Sequence, residues 1–199
     1  SLRVEYDARF YTGRNYNLFS ILADVRNGRG FAGCDTGDGF VPISNPRGVP
    51  EDTSPEVKAE VDRWDGDGHS HSWLTVQELL DYDWTQTTKV RGWLSAHEYW
   101  RWNRWDRQRG ESPQGWCGGV GGGNVRHVSE ADMQTLLAPY GTDWGNEERV
   151  KQELAGVYCQ CEWEQPYYKT VRNFLSDTMP RLWRLGKPDE VRCVFFFDN

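Results

Sequence analysis

Apolar positions along this chain follow two periods, and the places where the period changes mark its elements. Over residues 16–26, Leu18, Ile21, Leu22 and Val25 keep the i, i+3, i+4, i+7 spacing of an amphipathic helix. Asn27-Gly28 is expected to end it, since both residues tolerate left-handed backbone at a helix terminus. Over 156–165 the period is two. Val157, Cys159, Cys161 and Trp163 fall on one face, and Tyr158, Gln160, Glu162 and Glu164 on the other, as in a half-buried strand. The apolar run 191–197 is bounded by charge and is expected to be a central strand. Residues 2–11 mix β-formers with charges and predict a strand near the other end of the chain; residues 87–94 predict one more.

Helix starts are marked by capping residues. Ser54-Pro55 opens a helix to about residue 63. Thr75-Val76-Gln77-Glu78 and Ser95-Ala96-His97-Glu98 are capping boxes, and Ser129 caps a helix to about 137. Pro166 begins a long helix with an apolar stripe through Tyr167, Val171, Phe174, Leu175, Leu182 and Leu185. Pro180 is expected to kink it and Gly186-Lys187-Pro188 to stop it. Segments 28–53 and 110–124 are long and glycine-rich, and Phe31 and Phe40 are candidate anchors for the first. The pattern predicts an α+β fold: an antiparallel or mixed sheet built from N- and C-terminal strands, packed by several helices, with long Gly-rich loops. It forms a single domain over 1–199, with no internal repeat.

Composition narrows the function. Net charge is −7 over 199 residues, which argues against duplex DNA as a partner, because that binding rests on Lys and Arg neutralising phosphates. No apolar run is long enough to span a membrane, and the first residues lack the basic-then-apolar pattern of an export signal. Five cysteines without framework spacing predict a reduced, cytoplasmic setting. Cys159 and Cys161 then read as two small core residues. Eleven tryptophans against two methionines exceed what a core of this size needs, so several are expected to line a pocket or an interface.

Candidate chemistry concentrates in the N-terminal half. Trp64-Asp65-Gly66-Asp67-Gly68-His69-Ser70-His71-Ser72-Trp73 reads as a loop dense in carboxylates and imidazoles. It is suited to direct ligand contact, to a divalent metal held by Asp65, Asp67, His69 and His71, or to a structural turn. Position twelve from Asp65 is Val76, so the calcium-loop pattern fails. Arginines sit beside turns in Arg14-Asn15-Tyr16, Arg26-Asn27-Gly28 and Pro46-Arg47-Gly48, where a guanidinium fork suits phosphate. The loop from Trp116 to Asn124 offers backbone to wrap a ligand but lacks the ending of a phosphate-binding loop. Arg126-His127-Val128-Ser129 holds one H-x-S unit of the kind two-histidine phosphodiesterases use in pairs. On helix 96–107, Tyr99, Trp102 and Trp105 form one stripe and Arg101, Arg104 and Arg107 another. That pattern fits a helix buried on its aromatic side, or an interface or single-strand nucleic-acid surface.

Together, Arg14-Asn15-Tyr16 with Leu18-Phe19, Val25-Arg26-Asn27-Gly28, Pro46-Arg47-Gly48, Gly68-His69-Ser70-His71-Ser72-Trp73-Leu74-Thr75 and Phe195-Phe196-Phe197-Asp198-Asn199 resemble a family of small phage and prophage proteins. The resemblance covers nearly the whole chain and carries no catalytic assignment. It implies a viral protein acting in the cytoplasm of a bacterial host. The expectation is a protein that sequesters an anionic, nucleotide-type host immune signal, such as a cyclic oligonucleotide or an ADP-ribose derivative. Its ligand residues are expected to be Arg14, Asn15, Tyr16, Arg26, Arg47, His69, His71, Trp73 and Trp116, with no cofactor and with a homo-oligomeric assembly. The alternatives are a metal-dependent phosphodiesterase or other hydrolase using the Asp/His segment, and a host-protein-binding module.

Overall fold

The computed structural model describes residues 4, 8–64 and 66–198. The chain gathers into two compact units. The first comprises Ser1–Asn27, Phe40–Gln86 and Pro166–Asn199, and the second Gly28–Gly39 and Thr87–Gln165. The fold is α+β, as the periodicities predict, with one two-stranded and one three-stranded sheet.

In the first unit, helix α1 (Tyr16–Ala23) is capped by the Asn15 side chain, which accepts from the backbone N–H groups of Asn17 and Leu18. It ends before Asn27-Gly28, because Asp24 already takes the left-handed conformation and returns its N–H to the last turn. Helix α2 (Pro55–Arg63) starts at its Ser54 cap as expected. The Asp/His segment is a strand rather than a loop from its first histidine onward: β1 (His69–Thr75) pairs antiparallel with β5 (Arg192–Phe197). Ser72 and Leu74 point inward on alternate positions, and that inward pair fixes the register that the glycines and histidines obscure. A register shift between His69 and Ser72, with Ser70 at φ 53°, bends the start of the strand. Helix α3 (Val76–Asp81) follows at once through the Thr75–Glu78 capping box. Among the described residues, strand β5 pairs with β1. Residues 2, 3 and 5–7 of the expected first strand lie outside the described residues, and 8–11 carry no strand.

The helix expected after Pro166 is broken into α7 (Tyr167–Thr170), a π-helical turn at Phe174–Thr178 and α8 (Met179–Trp183). Pro180 lies in the first turn of α8, where its missing N–H costs nothing. Leu18, Ile21, Leu74, Leu79, Val171 and Phe197 form the centre of this unit's core. Phe40 joins it, while Phe31 is 74% exposed and anchors nothing.

The second unit is built on the sheet order β2 (Thr87–Ser95), β4 (Val157–Pro166), β3 (Arg126–Val128), with β3 parallel to β4. Its β2 runs into helix α4 (Ala96–Arg101), continued by a π-helical turn at Trp102–Asp106. Helices α5 (Glu130–Leu137) and α6 (Glu147–Glu153) complete the unit. The alternation in β4 is as read: Val157, Cys159, Cys161 and Trp163 are buried, with the Cys159 and Cys161 sulfurs 3.6 Å apart. Contrary to the expectation of no repeat, the two units share one local device. Trp73-Leu74-Thr75-Val76-Gln77-Glu78 and Trp93-Leu94-Ser95-Ala96-His97-Glu98 are each a strand end, a hydroxyl cap and a first helical turn. Leu74 and Leu94 are both fully buried.

Candidate functional site

The residues singled out in the N-terminal half fall into two groups, both in the first unit. Around the start of α1, the Arg26 guanidinium lies 4.9 Å over the Tyr16 ring, and the Asn15 amide donates to the Thr170 carbonyl. Arg14 approaches Asp198 at 3.8 Å, beside Phe197, which is the register partner of His69. The second group lies on one face of the β1–β5 sheet. His71 stacks on Phe196 at 5.1 Å, and the Trp73 ring is met by Arg47 at 4.9 Å and by Arg192 at 5.5 Å. The Arg47 fork is already filled, because both of its terminal nitrogens donate to the Glu78 carboxylate, at 2.5 and 2.9 Å. Arg192 likewise reaches Asp52 at 2.7 Å. Trp116 belongs to the second unit, where it packs edge-on against Trp163 and over Gly92.

His69 and His71 do not converge on one point. His69 Nδ1 meets the Ser70 hydroxyl at 3.0 Å, whereas His71 Nε2 is buried without a hydrogen-bond partner. Asp65 lies outside the described residues, and among the described residues no three His, Cys, Asp or Glu side chains stand close enough to hold a metal. In the H-x-S unit, His127 Nε2 meets the Val120 carbonyl at 2.9 Å and Ser129 caps α5.

The structure builds a pocket elsewhere, on the face of the second unit formed by α4, its π-helical extension and α5. It encloses about 270 Å³ and is lined by Tyr99, Trp100, Asn103, Arg104, Gln108, Gln134, Leu137, Ala138, Gly141 and Thr142. Its one cation is Arg104, carried on the π-helical turn, a local irregularity that recurs at functional sites. The guanidinium carbon stands 4.3 Å from the Trp100 ring centre and 4.3 Å from that of Trp144. The two indole planes meet edge to face, at 83°, so the guanidinium is set in the corner between them. Trp100 is itself fixed, donating from its indole nitrogen to the Gly141 carbonyl at 3.0 Å.

Arg104 differs from its neighbours in having no counter-ion. Arg101 faces Glu98, Arg107 faces Glu130 and Arg109 faces Asp106. Among the described residues no carboxylate pairs with Arg104, and its Nη1 is buried without a hydrogen-bond acceptor. A charged donor left in that condition is costly. The wall beside it is a polar network. The Tyr99 hydroxyl donates to Glu130 Oε1 at 3.0 Å and accepts from Gln134 Nε2 at 3.0 Å; Arg107 also donates to Glu130. Burial pushes the Tyr99 phenol up to about 12, so it stays protonated. Arg107 donates to Asn103 Oδ1 at 3.4 Å.

Sequence reasoning placed Arg104 on a stripe of three arginines but gave it no separate role. The signal that sets it apart, Trp144 closing over it from a distant turn, is not visible in local periodicity. Comparisons with protein-family models, with curated proteins and with solved structures gave no match.

Proposed function

We propose that this chain is a binding protein for a small anionic, nucleotide-like molecule, received in the second unit's pocket with its anionic group on Arg104. The observation that carries the reading is a guanidinium with no carboxylate partner among the described residues, set in the corner between two indoles and bordered by three carboxamides. A fork in this state is arranged before the ligand arrives, which lowers the ordering cost of binding. The pocket walls mix apolar Trp100 and Leu137 with Asn103, Gln108, Gln134 and Thr142, the composition of a site that grips a planar body and reads its edge. The likeness to phage proteins supports sequestration of a host signal nucleotide in a bacterial cytoplasm as the use of such a site. The filled forks of Arg47 and Arg192 favour this pocket over the β1–β5 face.

Calorimetric titration with mononucleotides, cyclic oligonucleotides and ADP-ribose tests the reading. At least one of them should bind in the micromolar range or tighter, and Arg104→Gln should weaken it roughly 10- to 100-fold, the worth of a hydrogen bond to a charged group. Recovery of the ligand unchanged would separate binding from hydrolysis. Absence of binding across the panel, or binding indifferent to Arg104→Gln, would overturn the proposal.

A further inference from the structure

We infer that Gln134 is a specificity-determining residue of this pocket: it presents a hydrogen-bond acceptor, and so selects an anion whose planar body carries an N–H donor, as an aminopurine nucleotide does. The inference rests on the reading that the pocket binds an anion at Arg104, and it follows from the direction of the hydrogen bonds behind the wall. The Glu130 carboxylate can only accept, so the hydroxyl proton of Tyr99 goes to it. Arg107 can only donate, and it donates to Tyr99 Oη at 3.4 Å as well as to Glu130. The Tyr99 oxygen is thereby left as an acceptor toward Gln134, which must turn its NH₂ inward, 3.0 Å away. The carbonyl end of the carboxamide remains for the pocket that Gln134 lines. Asn103 is oriented the opposite way by the same arginine. Its oxygen accepts from Arg107 at 3.4 Å, which leaves its NH₂ as a donor.

The pocket therefore offers an oriented acceptor from α5, an oriented donor from the π-helical turn and the Arg104 cation. An adenine edge, with an exocyclic amine beside a ring nitrogen, carries the complementary donor and acceptor. The Tyr99 hydroxyl and Glu130 are positioning groups, acting through Gln134.

The test compares adenosine 5′-monophosphate with purine riboside 5′-monophosphate, which lacks only the exocyclic amine, by titration of the full chain. The wild-type protein should bind the amine-bearing nucleotide about three- to tenfold more tightly, the worth of one solvent-accessible hydrogen bond. Gln134→Met should lower its affinity to that of the analogue. Tyr99→Phe removes the partner that holds the NH₂ inward, and should bring the ratio of the two affinities toward one while both still depend on Arg104. That ratio is a readout a purely structural role for Tyr99 would not move. Gln134 is on an exposed helix position, so its variant keeps the test available if Tyr99→Phe fails to fold. Equal affinities in the wild type, or a preference that survives Gln134→Met, would overturn the inference and leave the Arg104 site standing. Failure of both nucleotides to bind would overturn this inference, whereas binding indifferent to Arg104→Gln would overturn the site and the inference with it.

Discussion

Glu78 joins the structural roles of the first unit at one side chain. It accepts from the Thr75 backbone N–H to close the capping box and holds both arms of Arg47. The Arg47 hydrogen bond is the main reason its carboxyl falls from 4.5 to about 2. A carboxyl depressed in the folded state contributes stability that is complete above its unfolded value and is lost as pH falls through the folded one. The wild-type protein should therefore lose stability between about pH 4.5 and 2, and Glu78→Gln should flatten that part of the curve. At neutral pH the variant should be less stable by about 1 kcal/mol, given that the pair is part-exposed and screened by solvent. Denaturant melts across that pH range would show both effects. Gly37 is a second single-residue lever. Its φ of 120° suits glycine alone, and a Cβ there would overlap the Lys89 carbonyl oxygen. Gly37→Ala should cost about 2–4 kcal/mol in denaturant unfolding. Neither role is legible locally. Glu78 announces its cap through the T-x-x-E spacing, but Arg47 reaches it from a loop with no regular period.

At the scale of elements, the recurring strand end and cap make a paired prediction. Leu74→Ala and Leu94→Ala each empty a fully buried position at the same point of the same device, so each should cost about 3–5 kcal/mol. Equal losses by thermal or chemical melting would show that the two strand–helix joints carry equivalent packing. The elements readable from the chain were α1 and β4, whose burial follows one clean period, and α2 to α5, which their hydroxyl caps announce. Elements that depart from one period were not. Helix α6 buries little beyond Val150 in the charged run Glu147–Glu153, so it shows no apolar stripe. Strand β1 hides behind its register shift, and its first four residues, His69 to Ser72, put polar side chains on both faces. The helix after Pro166 has the right stripe, but a π-helical turn resets the phase at Phe174–Thr178. The pocket was half legible. The Trp/Arg stripes located its floor, while Trp144 and Gln134, which give it a closed side and a polarity, come from other elements.

At the scale of the whole molecule, two cores stand on separate sets of side chains, one around Leu74 and one around Leu94. Native-state hydrogen exchange should therefore report each substitution locally, with Leu74→Ala raising exchange most in α1, α3 and β1, and Leu94→Ala most in α4, α5 and β4. The segments that make these cores are interleaved along the chain, and this has a consequence for synthesis. Every residue of the second unit has left the ribosome once Gln165 is made. The strand His69–Thr75, by contrast, must wait for Arg192–Phe197, far later in the chain, before its backbone groups find their ladder. During that interval a nascent chain displays an unpaired strand edge, and the time for which it does so is set by the speed of translation rather than by the stability of the finished protein.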